Sequence, residues 1–163
     1  MVIRAANLCD ADGINDVYNP FIRESVATFE TQLYDRARRE AWLAARAGST
    51  RWPVFVAADK GEICGFCSAS AFDPRGAYET SVKVSVFVAP EHHAKGLAKR
   101  LYEALFAALP KDVVHRAYGL IVAPNPASVT LHERFGFVHV ATLNEVGRKF
   151  GRYLDVMWFE KRL

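Results

Sequence analysis

The stretch Val84-Ser85-Val86-Phe87-Val88-Ala89-Pro90 runs into Glu91-His92-His93-Ala94-Lys95-Gly96-Leu97-Ala98, a junction whose residue types could hold a phosphate. Val84, Val86 and Val88 alternate with Ser85 and Phe87 as in a strand. Pro90 ends the ladder because it has no N–H to donate. From Leu97 the apolar positions Leu97, Leu101, Ala104, Leu105 and Ala108 recur at helical spacing. Gly96 thus stands where a helix begins, with Lys95, Lys99 and Arg100 around it. The first N–H groups of a helix lack intrahelical partners and carry partial positive charge, which suits a phosphate or pyrophosphate. A glycine there lets backbone and phosphate approach closely. Taken alone, the pattern fits an ordinary strand-to-helix connection equally well.

A second group lies at Asn125-Pro126-Ala127-Ser128-Val129-Thr130-Leu131-His132, closed by Phe135-Gly136-Phe137. It reads as a helix with an Asn start and Gly136 as its C-terminal cap. His132 lies two turns beyond Asn125, so the two share a face. An imidazole of ordinary pKa, about 6.5, exchanges protons near neutrality. A buried structural histidine is the alternative. Arg75 carries a guanidinium that could clamp a carboxylate bidentately, or it is a solvated loop residue.

The elements that must position these groups follow in order. Val2–Ala6 is a first strand. Asp10 caps a helix with Ala11, Ile14, Val17, Tyr18, Phe21 and Ile22 on one face, which Pro20 should kink or shorten. Val26–Thr31 is a loop with an apolar centre. Asp35 caps a second helix through Ala47, ended by Gly48. Pro53–Ala58 and Ile63–Ala71 are strands joined by a turn at Asp59–Glu62. A loop, Asp73–Tyr78, leads into the central strand. After the third helix come a strand at Val113–Val122, the helix from Asn125 to Arg134, and strands at Val138–Leu143 and Tyr153–Phe159. The order predicts an α/β fold, a mixed sheet with helices on both faces.

With 163 residues and no repeat or linker, one domain over residues 1–163 is expected. A net charge of +3 is too small to argue for nucleic acid, and no basic stripe is interleaved with aromatics. No apolar run approaches membrane-spanning length and no signal-peptide core follows Met1, so a cytoplasmic protein without membrane contact is expected. Cys9, Cys64 and Cys67 read as reduced thiols, with Cys64 and Cys67 as core residues of a strand. The histidines show no metal-ligand spacing, so no metal is expected.

His93-Ala94-Lys95-Gly96-Leu97-Ala98 resembles the acetyl-CoA-binding motif of the GNAT N-acetyltransferase superfamily, which follows a V-x-V strand; His93 stands where that motif has Arg or Gln. The order of elements is also that of the GNAT fold, a mostly antiparallel sheet of about seven strands with about four helices. Asn125, Ser128 and Gly136-Phe137 match its later motif, with His132 in the place of its Tyr. Leu131-His132-Glu133, Val26–Glu30, Phe72–Tyr78 and Gly147–Val156 resemble the phosphinothricin and methionine sulfoximine acetyltransferase branch.

That resemblance implies an N-acetyltransferase moving acetyl from acetyl-CoA to the amino group of a small amino acid or analogue by direct attack. It implies that Val86, Phe87 and Val88 offer backbone groups to the pantetheine chain and that His93, Ala94, Lys95, Gly96, Leu97 and Ala98 hold the pyrophosphate. Asn125 and Ser128 would bind the cofactor arm and His132 would protonate the leaving thiolate. Arg75 would clamp the substrate carboxylate, with Phe29, Glu30 and Tyr78 around it. A homodimer is usual in that branch. Lys83 departs from it, standing where a Glu usually accepts the amine proton. An ordinary lysine is an ammonium and cannot serve as that base. Three readings stand: Glu79 or Glu30 replaces it, Lys83 reads an acidic substrate, or Lys83 acts itself if strongly desolvated. The alternatives are acetylation of a different small amine, and a non-catalytic acyl-CoA-binding or regulatory module.

Overall fold

The computed structural model describes residues 1–93 and 95–163, so Ala94 of the expected phosphate loop lies outside the described residues. Two hairpins are closed by two-residue turns in which both residues take positive φ. Lys60 and Gly61 join β2 (Val54–Asp59) to β3 (Glu62–Ala71); Phe150 and Gly151 join β6 (Val138–Lys149) to β7 (Arg152–Arg162). Such turns match the right-handed twist of the strands they connect. With β1 (Val2–Ala5), β4 (Ser81–Val88) and β5 (Arg116–Val122) they build a seven-stranded sheet in the order β1-β2-β3-β4-β5-β7-β6. Among the described residues β4 and β5 are the one parallel pair; the other neighbours are antiparallel. This is the mixed, mostly antiparallel sheet expected from the sequence.

Among the described residues four α-helices cover it: α1 (Ala11–Glu24), α2 (Arg36–Ala44), α3 (Leu97–Ala108) and α4 (Pro126–Arg134). On one face Ala11, Ile14 and Val17 of α1 pack on Val56, Phe66 and Phe87. On the other, Leu97, Leu101 and Leu105 of α3 meet Cys67, Ala69, Val82 and Val84. Leu101 and Leu105 are fully buried, which stabilises the fold by about 2 kcal/mol each. Cys64 and Cys67 are buried thiols of β3, as predicted, and burial pushes Cys67 up to about 12.

Several boundaries differ from expectation. α1 is not shortened at Pro20: it continues to Glu24 because Phe21 packs on Phe87 at 5.2 Å and Ile22 is buried. Asp10 occupies the cap position of α1, but its carboxylate turns to Arg4, 2.7 Å away through both oxygens. α2 stops at Ala44, because Arg46 and Ala47 bond three residues back and tighten the chain into turns. Val113 and Val114 precede β5, since both donate to the Pro110 carbonyl in a turn. β6 and β7 are longer than expected, carried by the Phe150–Gly151 turn and an irregularity between Leu143 and Gly147.

Candidate functional site

The two halves of the sheet are joined at one seam, and the seam is open along half its length. β4 and β5 pair only from Ser81–Arg116 to Val84–Gly119. Beyond this β4 continues to Val88 and β5 to Val122 without pairing each other. The Ala89 N–H bonds the Cys64 carbonyl at 2.9 Å. By strand alternation Phe87 then also directs its backbone groups to β3, whereas Val86 and Val88 direct theirs into the gap. Phe87 presents only its ring, packed against Tyr18, Phe21 and Phe66. Of the three residues expected to offer backbone groups, Val86 and Val88 face the gap.

At the mouth of the gap α3 begins. Gly96 is its N-cap with φ of 72°, a left-handed conformation that favours glycine, and open space lies where a side chain would be. The first intrahelical bond is Arg100 to Gly96, leaving the N–H groups of Leu97, Ala98 and Lys99 without intrahelical acceptors. Leu97 turns its side chain into the core and Ala98 packs against it, so both face a phosphate only through their backbone. Lys95 is exposed and donates to the Glu91 carbonyl at 2.8 Å. His93 folds back to the Val88 carbonyl, 2.8 Å from Nε2, and caps the free end of β4. This end of the gap suits a phosphate-bearing ligand.

Deeper in, α4 brings His132 to the last paired residues. Asn125 starts the helix by accepting the Ser128 N–H at 3.1 Å. His132 Nδ1 lies 2.8 Å from the Ser128 carbonyl, an acceptor only, so Nδ1 carries the proton. The Ser128 hydroxyl lies 3.4 Å from the same nitrogen. Nε2 is therefore the basic nitrogen, and the Tyr102 hydroxyl lies 3.2 Å from it. The imidazole is buried among Tyr102, Phe137 and Phe159. Burial pushes its pKa below the ordinary value, against a smaller opposing pull from the Ser128 backbone. His132 is thus held neutral at neutrality, so it becomes an acid only after Nε2 has taken up a proton.

The opposite face of the sheet carries the residues expected to bind substrate. Tyr78 and Tyr118 pack on Phe72 at 5.2 and 4.8 Å, and Trp158 closes the cluster at 5.7 Å. Lys83 is the register partner of Tyr118 and is half-buried. Arg75 is exposed and engages Asp73 through Nε at 2.7 Å and Nη2 at 3.2 Å, so its fork is already filled. Glu79 precedes β4 rather than lying on it, and pairs with Arg51 at 3.3 Å. Glu30 is bound by Arg38 at 2.6 Å and by the N–H groups of Thr31 and Gln32. Burial raises its pKa, but those hydrogen bonds together hold it below the ordinary carboxylate value. Neither carboxylate expected to stand in for the base is free.

The acetyltransferase (GNAT) domain family matches residues 3–158. The chain belongs to the GNAT acetyltransferase family. A phosphinothricin N-acetyltransferase of Streptomyces coelicolor is 44% identical over 156 residues, covering 94% of this chain and 91% of that protein. An L-methionine sulfoximine/L-methionine sulfone acetyltransferase of Pseudomonas paraeruginosa is 34% identical, covering 99% and 94%. A phosphinothricin acetyltransferase of Sinorhizobium meliloti, solved in complex with acetyl-CoA, superposes with a TM-score of 0.92 at 29% identity, covering 99% and 88%.

Three residues that seat candidate site groups of this acetyltransferase were given no role from the sequence, although Gly147 and Lys149 lie in the Gly147–Val156 motif. Gly119 is one, because a Cβ there would overlap the His132 ring. Gly147 is another, since a Cβ would overlap the Phe29 ring that rests on it. The third is Lys149, which is buried and donates to the carbonyls of Ser25, Thr28 and Phe21 at 2.6, 2.8 and 3.3 Å. The motif marks Gly147 and Lys149 by position alone, and nothing in the sequence marks Gly119.

Proposed function

We propose that this chain transfers the acetyl group of acetyl-CoA to the amino group of a small amino acid or analogue of the phosphinothricin or methionine sulfoximine/sulfone type, by direct attack with both substrates bound. The observation that carries the reading is the open β4–β5 seam, with free backbone groups at Val86 and unpartnered helix N–H groups beside Gly96. The fit to a pyrophosphate rests on the space at Gly96 and those unpartnered donors. When bound, acetyl-CoA supplies an acetyl group activated as a thioester.

The chain's own groups then divide the work. Val86 adds backbone hydrogen bonds to an extended arm lying in the seam, in the manner of an added strand. A free N–H in that edge stabilises the negative charge that develops on the carbonyl oxygen. Asn125, at the start of α4, holds the arm with its amide N–H. His132 Nε2 takes the proton released by the attacking amine and passes it to the departing sulfur, so one neutral imidazole serves as base and then as acid. The aromatic surface of Phe72, Tyr78, Tyr118 and Trp158, with Arg75 of the same motif and Phe29 and Glu30 of the Val26–Glu30 motif, receives the amino acid. Exposed Val138, Val140, Leu143 and Val146 on the edge strand β6 support a homodimer through that edge.

The test is release of free thiol from acetyl-CoA with phosphinothricin, methionine sulfoximine, methionine sulfone, the common amino acids and a polyamine. Turnover of a sulfoximine, sulfone or phosphinic amino acid is expected. Tight acetyl-CoA binding without turnover of any amine would replace this reading with the binding-module one, which the engaged carboxylates of Glu30 and Glu79 favour.

A further inference from the structure

On the proposed substrate face Lys83 is a cation with no hydrogen-bond or ion-pair partner among the described residues. Arg75 is engaged by Asp73, and Lys149 by three carbonyls. Lys83 has no hydrogen bond or ion pair among the described residues, although it is half-buried in the middle of the sheet. Its alternation on β4 puts it on the same face as Ser85 and Phe87, one residue before the last pair of the seam. Its cross-strand neighbours are Ser70 and Tyr118. Asp73 feels its charge, but that carboxylate is held low first by the Arg75 side chain and is filled by it.

A second unfilled donor lies on the same face, beside Tyr118, the register partner of Lys83. The Trp158 ring packs against Phe72 at 5.7 Å and Tyr118 at 6.2 Å, and its indole N–H is buried without a hydrogen-bond partner. Buried polar groups are nearly always paired, so an orphaned donor marks a place where an acceptor belongs. An ammonium and an indole N–H both donate and neither accepts. Around the two donors stand Phe72 and Tyr118, with Ser70 and Ser85 beside Lys83 and Glu160, engaged by Arg116, beside Tyr118; where water is excluded a charge-assisted hydrogen bond is strengthened. A substrate amine would be repelled by Lys83, so the amine must lie toward the seam with the anion behind it.

We propose that Lys83, supported by the Trp158 indole N–H, binds an anionic oxygen group of the substrate. This rests on the acetyltransferase reading and names the side chains that hold the anionic group of its substrate. The anion is the α-carboxylate or a side-chain phosphinate or carboxylate.

The experiment compares wild type, Lys83→Met, Lys83→Arg and Trp158→Phe on three amines with acetyl-CoA. Phosphinothricin carries an α-carboxylate and a phosphinate. Methionine sulfone carries the α-carboxylate alone, and its methyl ester carries neither. Lys83→Met is expected to raise KM about tenfold or more for the substrate whose anion it binds. Loss on phosphinothricin alone assigns the side-chain group; equal loss on both acids assigns the α-carboxylate. The ester is unaffected in either case. Lys83→Arg keeps the charge and most of the affinity, and Trp158→Phe gives a smaller loss on the same substrate. Unchanged KM for both acids in a folded Lys83→Met protein overturns the proposal. Calorimetry separates the two readings. Wild type that binds phosphinothricin without acetylating it, with binding weakened in Lys83→Met, keeps the anion site and removes the acetyltransferase reading. Wild type that neither binds nor acetylates either acid overturns both.

Discussion

The His132 imidazole occupies the space in which Gly119 would carry a side chain, so the ring that sits at the end of the paired seam is seated by a missing Cβ on β5. Gly119→Ala should push the ring from its place between Tyr102 and the Ser128 carbonyl. Forcing an extra carbon into a packed site costs about 1–3 kcal/mol. We expect a lower melting temperature and a fall in kcat larger than any loss of acetyl-CoA affinity. Normal kcat in Gly119→Ala would show that ring placement is not critical.

Phe29 and Gly147 repeat this relationship on the substrate face. Gly147→Ala should displace the Phe29 ring and with it the loop that carries Glu30. Small misplacements of binding groups are costly, so kcat/KM for the amine should fall about tenfold while the acetyl-CoA dissociation constant stays as in wild type. Steady-state kinetics with calorimetry reads both.

Lys149 ties the end of α1 and the following loop to β6 through three carbonyls. Lys149→Met leaves those buried acceptors unpaired, at a cost of about 3 kcal/mol. Denaturant unfolding should show that loss, with the region after Glu24 cut first by protease. A wild-type midpoint would remove the structural role.

What the sequence displayed was local. The V-x-V strand, Gly96 and the Asn125 cap each depend on neighbours a few residues away, and their elements appear close to where they were expected. The roles of Gly119, Gly147 and Lys149 were not legible because their contacts lie farther along the chain: Phe29 and Gly147 meet across the fold, as do Lys149 and Phe21. The engagement of Arg75 by Asp73, and of Glu30 by Arg38, is likewise a matter of side-chain geometry that residue types do not reveal. α1 passes Pro20 because packing of Phe21 outweighs the lost backbone bond, a tertiary effect.

Burial of neutral His132 gives a pH dependence with a definite sign. Its folded pKa lies below its unfolded value, so its contribution to stability is fully present above about 6.5. It is lost as pH falls from there toward the lowered folded value, because the unfolded chain binds the proton more readily. Melting temperatures of wild type should therefore fall more steeply between neutral and mildly acidic pH than those of His132→Gln. Parallel curves would mean that the fold leaves the affinity of His132 for its proton as it is in the unfolded chain.

Gly96→Asp places a carboxylate at the open start of α3, where φ is 72°. Like charge near a pyrophosphate should raise the acetyl-CoA dissociation constant about tenfold, with a smaller effect on the amine. Equal affinity would place the phosphates elsewhere.

The most direct test of the account is the initial rate of thiol release with acetyl-CoA and phosphinothricin or methionine sulfone varied together. Direct attack across the open seam predicts turnover with double-reciprocal lines that intersect, as both substrates must be bound at once. Parallel lines would mean an acetylated enzyme intermediate, and no release with either amine would contradict the proposed function.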